Sequence, residues 1–180
     1  MSAVSRYHPV WVAAHWLTAI LVAVSLFGGI TVLRHTPNSD VDKAPMLAAH
    51  VIAGFAILLF VVMRLIMRVS SAKPPPADVP SVWLNRLRKT VHVLLYFVII
   101  AMVSTGVGTV LASGALPVIF GGAGSLPADF WAYPPRAGHF FFSRALLVLV
   151  TLHFCAAIYH HFVRRDNLLS RMWFGKRRSS

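Results

Sequence analysis

Four long apolar stretches, separated by polar segments, dominate the pattern of the chain. They cover residues 10–33, 46–69, 91–111 and 140–163, and only His, Ser, Thr, Gly or Arg interrupts them, never a carboxylate. A helix needs about 20 residues to cross the hydrocarbon core of a bilayer, and each stretch is at least that long. The first stretch is too long for the apolar part of a signal peptide and lacks a small-residue cleavage site. The pattern predicts an all-α integral membrane protein, a bundle of four membrane-spanning helices.

The composition agrees with a membrane protein and disfavours other classes. Hydrophobic residues make up 57% of the chain and charged residues 12%, whereas an ordinary soluble domain has about 25% charged residues. A soluble enzyme or a disordered chain is therefore not expected. The formal charge of +12 would indicate nucleic-acid binding in a soluble protein. Here the basic residues lie between long apolar runs, so we expect a membrane and no nucleic acid.

The basic residues also predict the orientation of the chain, because Lys and Arg are enriched on the cytoplasmic side. An inner N-terminus puts 13 of the 17 on the inside and leaves Arg34, Lys43, Arg136 and Arg144 outside. The 13 are Arg6, Arg64, Arg68, Lys73, Arg86, Arg88, Lys89, Arg164, Arg165, Arg171, Lys176, Arg177 and Arg178. We expect a multi-pass protein of the bacterial inner (plasma) membrane with both termini cytoplasmic. Residues 1–180 form one domain in this interpretation, with 164–180 as an interfacial tail in which Asp166 caps a short helix.

Histidines within the apolar stretches are the candidate chemistry, because ionisable groups at membrane depth are costly and usually functional. In the predicted topology His15 and His153 lie towards the inner side, and His50 and His139 towards the outer side. The 14 residues from His139 to His153 advance a helix by about 21 Å and bring it within about 40° of the same face. Two pairs at two depths are what two stacked bis-histidine haems require. Spacing alone leaves His160 open as the inner ligand in place of His153.

Other residues on these faces extend the hypothesis. Arg64 follows His50 by 14 residues and so reaches the depth of the inner pair. It is a candidate partner of a haem propionate, with snorkelling to the inner interface as the alternative. Gly54, four residues after His50, removes a side chain that would crowd a macrocycle. His92 is a candidate supporting group of the inner site or a quinone ligand. The sequence assigns no role to its remaining histidines, His8, His35 and His161.

The sequence resembles the bacterial cytochrome b-561 family over nearly its whole length. The resemblance rests on AHWLTAILVAV around His15, LAAHVIAGFAILLFVVMRLIMR around His50, HVLLYFVII from His92 and TLHFCAAIYHHFVRRDNLLSRM around His153. It is weakest in the Gly-rich loop 112–136. The family consists of small four-helix membrane proteins with two b haems, and it includes superoxide:ubiquinone oxidoreductases. The resemblance pairs His15 with His153 and His50 with His139, and thereby favours His153 over His160.

Two imidazoles on each iron leave no open coordination position, so we expect one-electron transfer rather than oxygen or Lewis-acid chemistry. An electron would enter at the outer haem, cross to the inner haem and reduce ubiquinone near the inner face. The protein would then be an oxidoreductase, with a pure electron carrier as the alternative. The resemblance implies superoxide as the outer donor. Clustered positive charge steers small anions, and Arg136, with Lys43 or Arg34, is the candidate cluster, although these are ordinary loop charges in the alternative interpretation.

The quinone site has its own candidate. An imidazole near the interface can bond a quinone carbonyl and can titrate near neutral pH. His160, with Arg164 or His92 nearby, is therefore the candidate for binding the quinone and delivering protons.

Two further interpretations remain at this stage. The chain could be a b-type cytochrome subunit that links a dehydrogenase or hydrogenase to the quinone pool, which predicts co-purification with that partner, but its outer loops are short for a large docking surface. It could instead be a transporter with the His pairs as its transit path. The lack of intramembrane Asp and Glu, the usual cation relays, argues against transport. A homodimer is compatible with each interpretation.

Overall fold

The computed structural model describes residues 5–72, 74, 82–166 and 168–175, and its regular structure in these residues is helical. The helices in chain order are α1 (Pro9–Gly28), α2 (Lys43–Ser70), α3 (Val82–Ala112), the short α4 (Leu116–Ile119), α5 (Pro134–Ile158) and the short α6 (Leu168–Arg171). Helices α1 and α5 continue as π-helical turns over Gly29–Leu33 and Tyr159–Arg164. Lys73 and residues 176–180, which the orientation count used, lie outside the described residues.

Four helices are long and apolar enough to cross a bilayer, namely Pro9–Leu33, Lys43–Ser70, Val82–Ala112 and Pro134–Arg164. The predicted all-α fold with four spanning helices is therefore confirmed. Helix α3 begins nine residues before the apolar stretch 91–111, at Val82. The intervening residues include Arg86, Arg88 and Lys89, because a helix does not end where the hydrocarbon does. Its backbone hydrogen bonds continue into water, where charged side chains are tolerated.

The helices pack as two close pairs. Helix α3 runs along α5 and α1 along α2, whereas α1 and α5 approach each other only loosely. At mid-depth all four helices meet in a layer of buried aliphatic side chains, formed by Val22, Leu26, Ile57, Val61, Val98, Ile99 and Leu146. Leu146, 1% exposed, lies midway along α5 between His139 and His153. The apolar layer therefore divides the interior of the bundle into two compartments.

One end of the bundle, here called the loop end, is covered by the long loop after α3. Ala115 and Ile119 of this loop are buried together with Val110 of α3, and Leu47 and Val51 of α2 pack against them. Asn38 Nδ2 donates a hydrogen bond to the Pro127 carbonyl at 2.8 Å and so joins the two loops at this end. The Gly-rich loop thus caps the compartment beneath it.

At the opposite end, here called the tail end, residues 168–175 fold back over the start of α1. Asp166 Oδ1 accepts a hydrogen bond from the Leu168 N–H at 3.3 Å and caps α6 as expected. Arg6 Nη1 donates to the Ser170 carbonyl at 2.7 Å, and Trp16 Nε1 donates to the Met172 carbonyl at 2.8 Å. The tail is therefore packed onto α1 directly beside His15.

Candidate functional site

Two histidines face each other in the compartment at the tail end. His15 of α1 and His153 of α5 have ring centres 6.3 Å apart, with ring planes at 75°. His15 Nδ1 is buried and has no hydrogen-bond partner. A buried imidazole nitrogen without a partner is costly in a folded protein. His15 therefore has one ring nitrogen that is still available to a bound group.

A second pair lies in the compartment at the loop end. His50 of α2 and His139 of α5 have ring centres 6.1 Å apart, with ring planes at 79°. His139 Nδ1 donates to the Met102 carbonyl of α3 at 2.9 Å. Because a carbonyl only accepts, the proton is on Nδ1, and Nε2 keeps its lone pair for a metal. This bond from the distal nitrogen to a carbonyl is the usual support of a metal-binding histidine.

The spacing of both pairs fits a metal ion between the rings. A metal–imidazole bond is about 2.0 Å long and the ring centre lies about 1.1 Å further out, so two ligands on opposite sides of one metal have centres about 6.2 Å apart. The observed spacings are 6.3 Å and 6.1 Å. A Cβ added at Gly54 would meet no atom within 4 Å, and α1 and α5 stand apart. The spacing of both pairs therefore fits a metal between the rings, and these features leave open space beside the ligand pairs.

Other metal sites find no support in the described part of the chain. No group of three or more His, Cys, Asp or Glu side chains there could hold a metal ion. Two imidazoles are the ligand set expected for a b haem, whose iron already has the four nitrogens of the porphyrin.

Arg64 lies at the level of the tail-end pair, as the spacing predicts. Its guanidinium carbon is 5.4 Å from the ring centre of Tyr96, and its charge is close enough to act on both His15 and His153. Its Nε is buried and has no hydrogen-bond partner. A buried guanidinium that still has a donor to spare fits an acidic group, such as a propionate, entering this compartment.

The tail-end compartment holds a third imidazole. The ring centre of His92 lies 5.4 Å from that of His153, with the planes at 81°. His92 Nδ1 donates to the Arg88 carbonyl at 2.7 Å. His92 thus lies beside the pair of His15 and His153. This position agrees with one of the two roles expected from the sequence, that of a supporting group of the inner site.

His160 does not face His15; it binds the tail instead. Its Nδ1 is 2.5 Å from Asp166 Oδ2, and Arg164 Nε is 3.7 Å from the same oxygen. Partial burial of Asp166 opposes its ionisation, but the hydrogen bonds from His160 and Leu168 and the nearby positive charges together lower the pKa of this carboxyl below 3.8. Sequence analysis assigned Asp166 only to the helix cap. The sequence held one signal for the second role of Asp166, its contact with His160: Asp166 is the only carboxylate side chain after residue 129.

The three candidate steering residues at the loop end differ in their surroundings. Arg136 lies over the ring of Trp131 at 4.8 Å, and its charge acts on His50 and His139. Arg34 is exposed, while Lys43 is 5% exposed. The Lys43 ammonium donates to the carbonyls of Leu33 and Thr36 and so closes the end of α1. Lys43 is therefore a structural cation, and Arg136 and Arg34 carry the accessible charge.

Comparison with known proteins gives full-length similarities. The chain is 27% identical over 175 residues to the probable superoxide oxidase CybB of Yersinia pestis, covering 96% of this chain and 98% of that protein. It is 33% identical over 174 residues to cytochrome b561 homolog 2 of Escherichia coli K12, covering 93% of this chain and 90% of that protein. It is 24% identical over 169 residues to cytochrome b562 of Cereibacter sphaeroides, covering 92% of this chain and 94% of that protein.

The family profile for prokaryotic cytochrome b561 matches residues 6–175, which include all four spanning helices and both histidine pairs. The resemblance seen in the sequence is thereby confirmed, and membership implies membrane electron transfer with haem b. The chain belongs to the prokaryotic cytochrome b561 family.

Proposed function

We propose that this protein transfers electrons across the membrane through two b haems, one held by each histidine pair, from superoxide at the loop end to ubiquinone at the tail end. The observation that carries the proposal is the pair of facing imidazoles at each of two depths, 6.3 Å and 6.1 Å between ring centres. The choice of superoxide is supported by the relative from Yersinia pestis, which bears the name probable superoxide oxidase. The protein is an oxidoreductase in this proposal.

The residues around the histidine pairs restrict which species can cross the helix bundle. A haem held by the two imidazoles of each pair would supply one-electron transfer and would have no open position for a substrate. Between the two levels, which are about 21 Å apart along α5, the aliphatic layer around Leu146 excludes water. Such a layer opposes the passage of protons and small anions, and in this proposal it keeps each half of the reaction on its own side.

At the loop end the local charge favours an anionic donor. Arg136 lies beside the His50–His139 compartment, and its charge acts together with those of Arg34 and Lys43. Clustered positive charge raises the local concentration of a small anion and its rate of encounter. Lys43 adds to this field even though its ammonium is bound to carbonyls.

At the tail end His160 is the proposed contact for ubiquinone. With Asp166 bound to Nδ1, the Nε2–H of the protonated imidazole remains to donate a hydrogen bond to a quinone carbonyl and to pass on a proton. Arg164 and Asp166 hold the imidazole in place. His92 and Arg64 lie deeper, beside the His15–His153 pair, where Arg64 would neutralise a propionate.

The membrane orientation is part of the proposal. The distribution of Lys and Arg, 13 to 4 in the sequence, supports a cytoplasmic tail end and an outer loop end. The proposed location is the bacterial inner membrane, with lipid and the quinone pool as the surroundings of the bundle.

The test is a reduced-minus-oxidised visible spectrum of the purified protein in detergent, with haem quantified as the pyridine haemochrome. We expect two low-spin b haems per chain in the wild type and about one in His153→Ala. His160→Ala serves as the control that keeps both haems, because His160 faces Asp166 and not His15. A wild-type protein without haem would overturn the proposal and return the histidines to a transport role.

The donor and the acceptor are tested on the same sample. Superoxide is expected to reduce the haems, and a short-chain ubiquinone to reoxidise them. His160→Ala is expected to slow reoxidation and to leave reduction unchanged. If both haems are present but superoxide does not reduce them, the donor is a protein partner such as a dehydrogenase, which co-purification then identifies.

A further inference from the structure

Helices α3 and α5 pack against each other at both histidine levels, and the loop-end level shows the simpler arrangement. There the ring of His139 lies against Gly106, where an added Cβ would be 3.1 Å from the ring atoms Cε1 and Nδ1. The missing side chain lets the ring reach past Gly106 to the carbonyl of Met102, four residues earlier on α3, at 2.9 Å. The candidate ligand is thus supported directly by the backbone.

The tail-end level repeats this geometry with one change. His153 follows His139 by 14 residues on α5. Because α3 runs antiparallel to α5, the position that corresponds to Gly106 lies 14 residues earlier on α3, and it is His92. In the same register the carbonyl that corresponds to Met102 is that of Arg88. The imidazole of His92 therefore occupies the position at which Gly106 has no side chain.

The consequence is visible in the hydrogen bonds. The Arg88 carbonyl accepts its bond from His92 Nδ1 at 2.7 Å, not from the candidate ligand. His153 meets the ring of His92 instead, with ring centres 5.4 Å apart. Since the proton of a neutral His92 is on Nδ1, its Nε2 is an acceptor. That acceptor belongs to the ring that contacts His153.

We propose that His92 is the positioning residue of the tail-end haem: its Nε2 accepts the N–H of His153 and passes the hydrogen bond on to the Arg88 carbonyl. This inference rests on the proposed function, in which His153 is an axial ligand. An acceptor on the distal nitrogen fixes the ring and makes the ligand more basic, which favours the oxidised iron. At the loop-end haem the acceptor for the ligand His139 is the main-chain carbonyl of Met102, while at the tail-end haem the acceptor for His153 is the side chain of His92.

The experiment is a potentiometric titration of both haems in wild type, His92→Phe and His92→Gln, with the tail-end haem assigned from the wave that His153→Ala lacks. His92→Phe removes the acceptor, and we expect the midpoint potential of the tail-end haem to become more positive while that of the loop-end haem stays unchanged. His92→Gln keeps an acceptor oxygen, and we expect it to retain the wild-type potential. The ferric electron paramagnetic resonance signal of the tail-end haem should change in His92→Phe alone.

His161→Phe is the matched control, because His161 is exposed near the tail end and its loss should move neither potential. If His92→Phe loses the tail-end haem, His92→Leu, whose side chain is shorter than that of histidine and also lacks an acceptor, replaces it in the comparison. The proposal is overturned if the acceptor-free and acceptor-retaining variants behave alike, if both haems shift together, or if all three variants lose the haem. A wild type without two haems would instead refute the proposed function, so the two failures are distinguishable.

Discussion

At position 106 any side chain larger than hydrogen would press on a proposed haem ligand. A methyl group there would lie 3.1 Å from Cε1 and Nδ1 of His139, closer than ordinary contact, so the ring would have to move away from the Met102 carbonyl. We expect Gly106→Ala to weaken haem binding at the loop end by about 10-fold or more, the usual effect of losing the support of a metal ligand.

The measurement for Gly106→Ala is the ratio of haem to protein after dilution, with the two haems distinguished by their potentials. The tail-end haem should be retained. Gly28→Ala is the matched control, because a Cβ at this helical glycine of α1 would meet no atom within 4 Å. Equal haem content in Gly106→Ala and Gly28→Ala would show that the close approach at His139 is unimportant.

Single residues also show where the sequence was insufficient. Lys43 and Arg136 are both loop-end cations in the sequence, yet Lys43 is buried against the carbonyls of Leu33 and Thr36. The partners of Lys43 lie 7 and 10 residues away along a non-helical turn, and no local periodicity specifies such a bond. The acceptor of His139, a main-chain carbonyl 37 residues away, leaves no trace in the sequence at all.

At the scale of elements, the tail is joined to the π turn after α5 by one carboxylate. Asp166 binds His160 and also caps α6. Because its native pKa lies below the ordinary value of 3.8, the ionised form stabilises the folded tail. That stabilisation is present above the ordinary pKa and is lost as the pH falls through the native pKa. We expect protection of residues 168–175 against hydrogen–deuterium exchange to fall when the pH drops below about 4.

The matching variant is Asp166→Asn, which should show weaker protection of the tail already at neutral pH and no further step on acidification. Asp129→Asn changes a carboxylate that caps the short 3-10 helix at the loop end, and it should leave exchange in the tail as in the wild type. Exchange in the wild-type tail that does not respond to acid would contradict the assigned role of Asp166.

The spanning helices themselves were predictable because hydropathy is a local property. Each predicted stretch lies within one observed helix. Helix α3 begins nine residues before the predicted span, since an apolar window detects the hydrocarbon and not the end of the helix. The π turns after α1 and α5 were not predicted, because they depend on packing at the helix ends and not on composition.

At the scale of the whole molecule, the aliphatic layer separates the two histidine levels. Leu146 is 1% exposed and packs at the centre of this layer. We expect Leu146→Ala to destabilise the bundle by about 2 kcal/mol, near the lower limit for buried leucines. The loss of hydrophobic burial counts for less in a bilayer, because lipid tails are as apolar as leucine, whereas the cost of the cavity remains. The measurement is thermal unfolding in detergent.

Leu147→Ala is the matched control, because Leu147 is 39% exposed and should cost much less. Since Leu146 lies midway between the levels, its loss should affect the two haems equally. A change confined to one haem, or equal destabilisation by the two substitutions, would show that the layer is not a common core.

The sequence by itself determined the four spans, the depths of the histidines and the position of Arg64, because hydropathy, residue counts and the helical repeat are properties of neighbouring residues. The helical repeat left His153 and His160 open as partners of His15, and the family resemblance already favoured His153. Only the tertiary structure turned His160 to Asp166, brought His92 into the register position of Gly106 and buried Lys43. These outcomes depend on the rotation and separation of helices that are distant in the sequence, and side-chain packing between them fixes both.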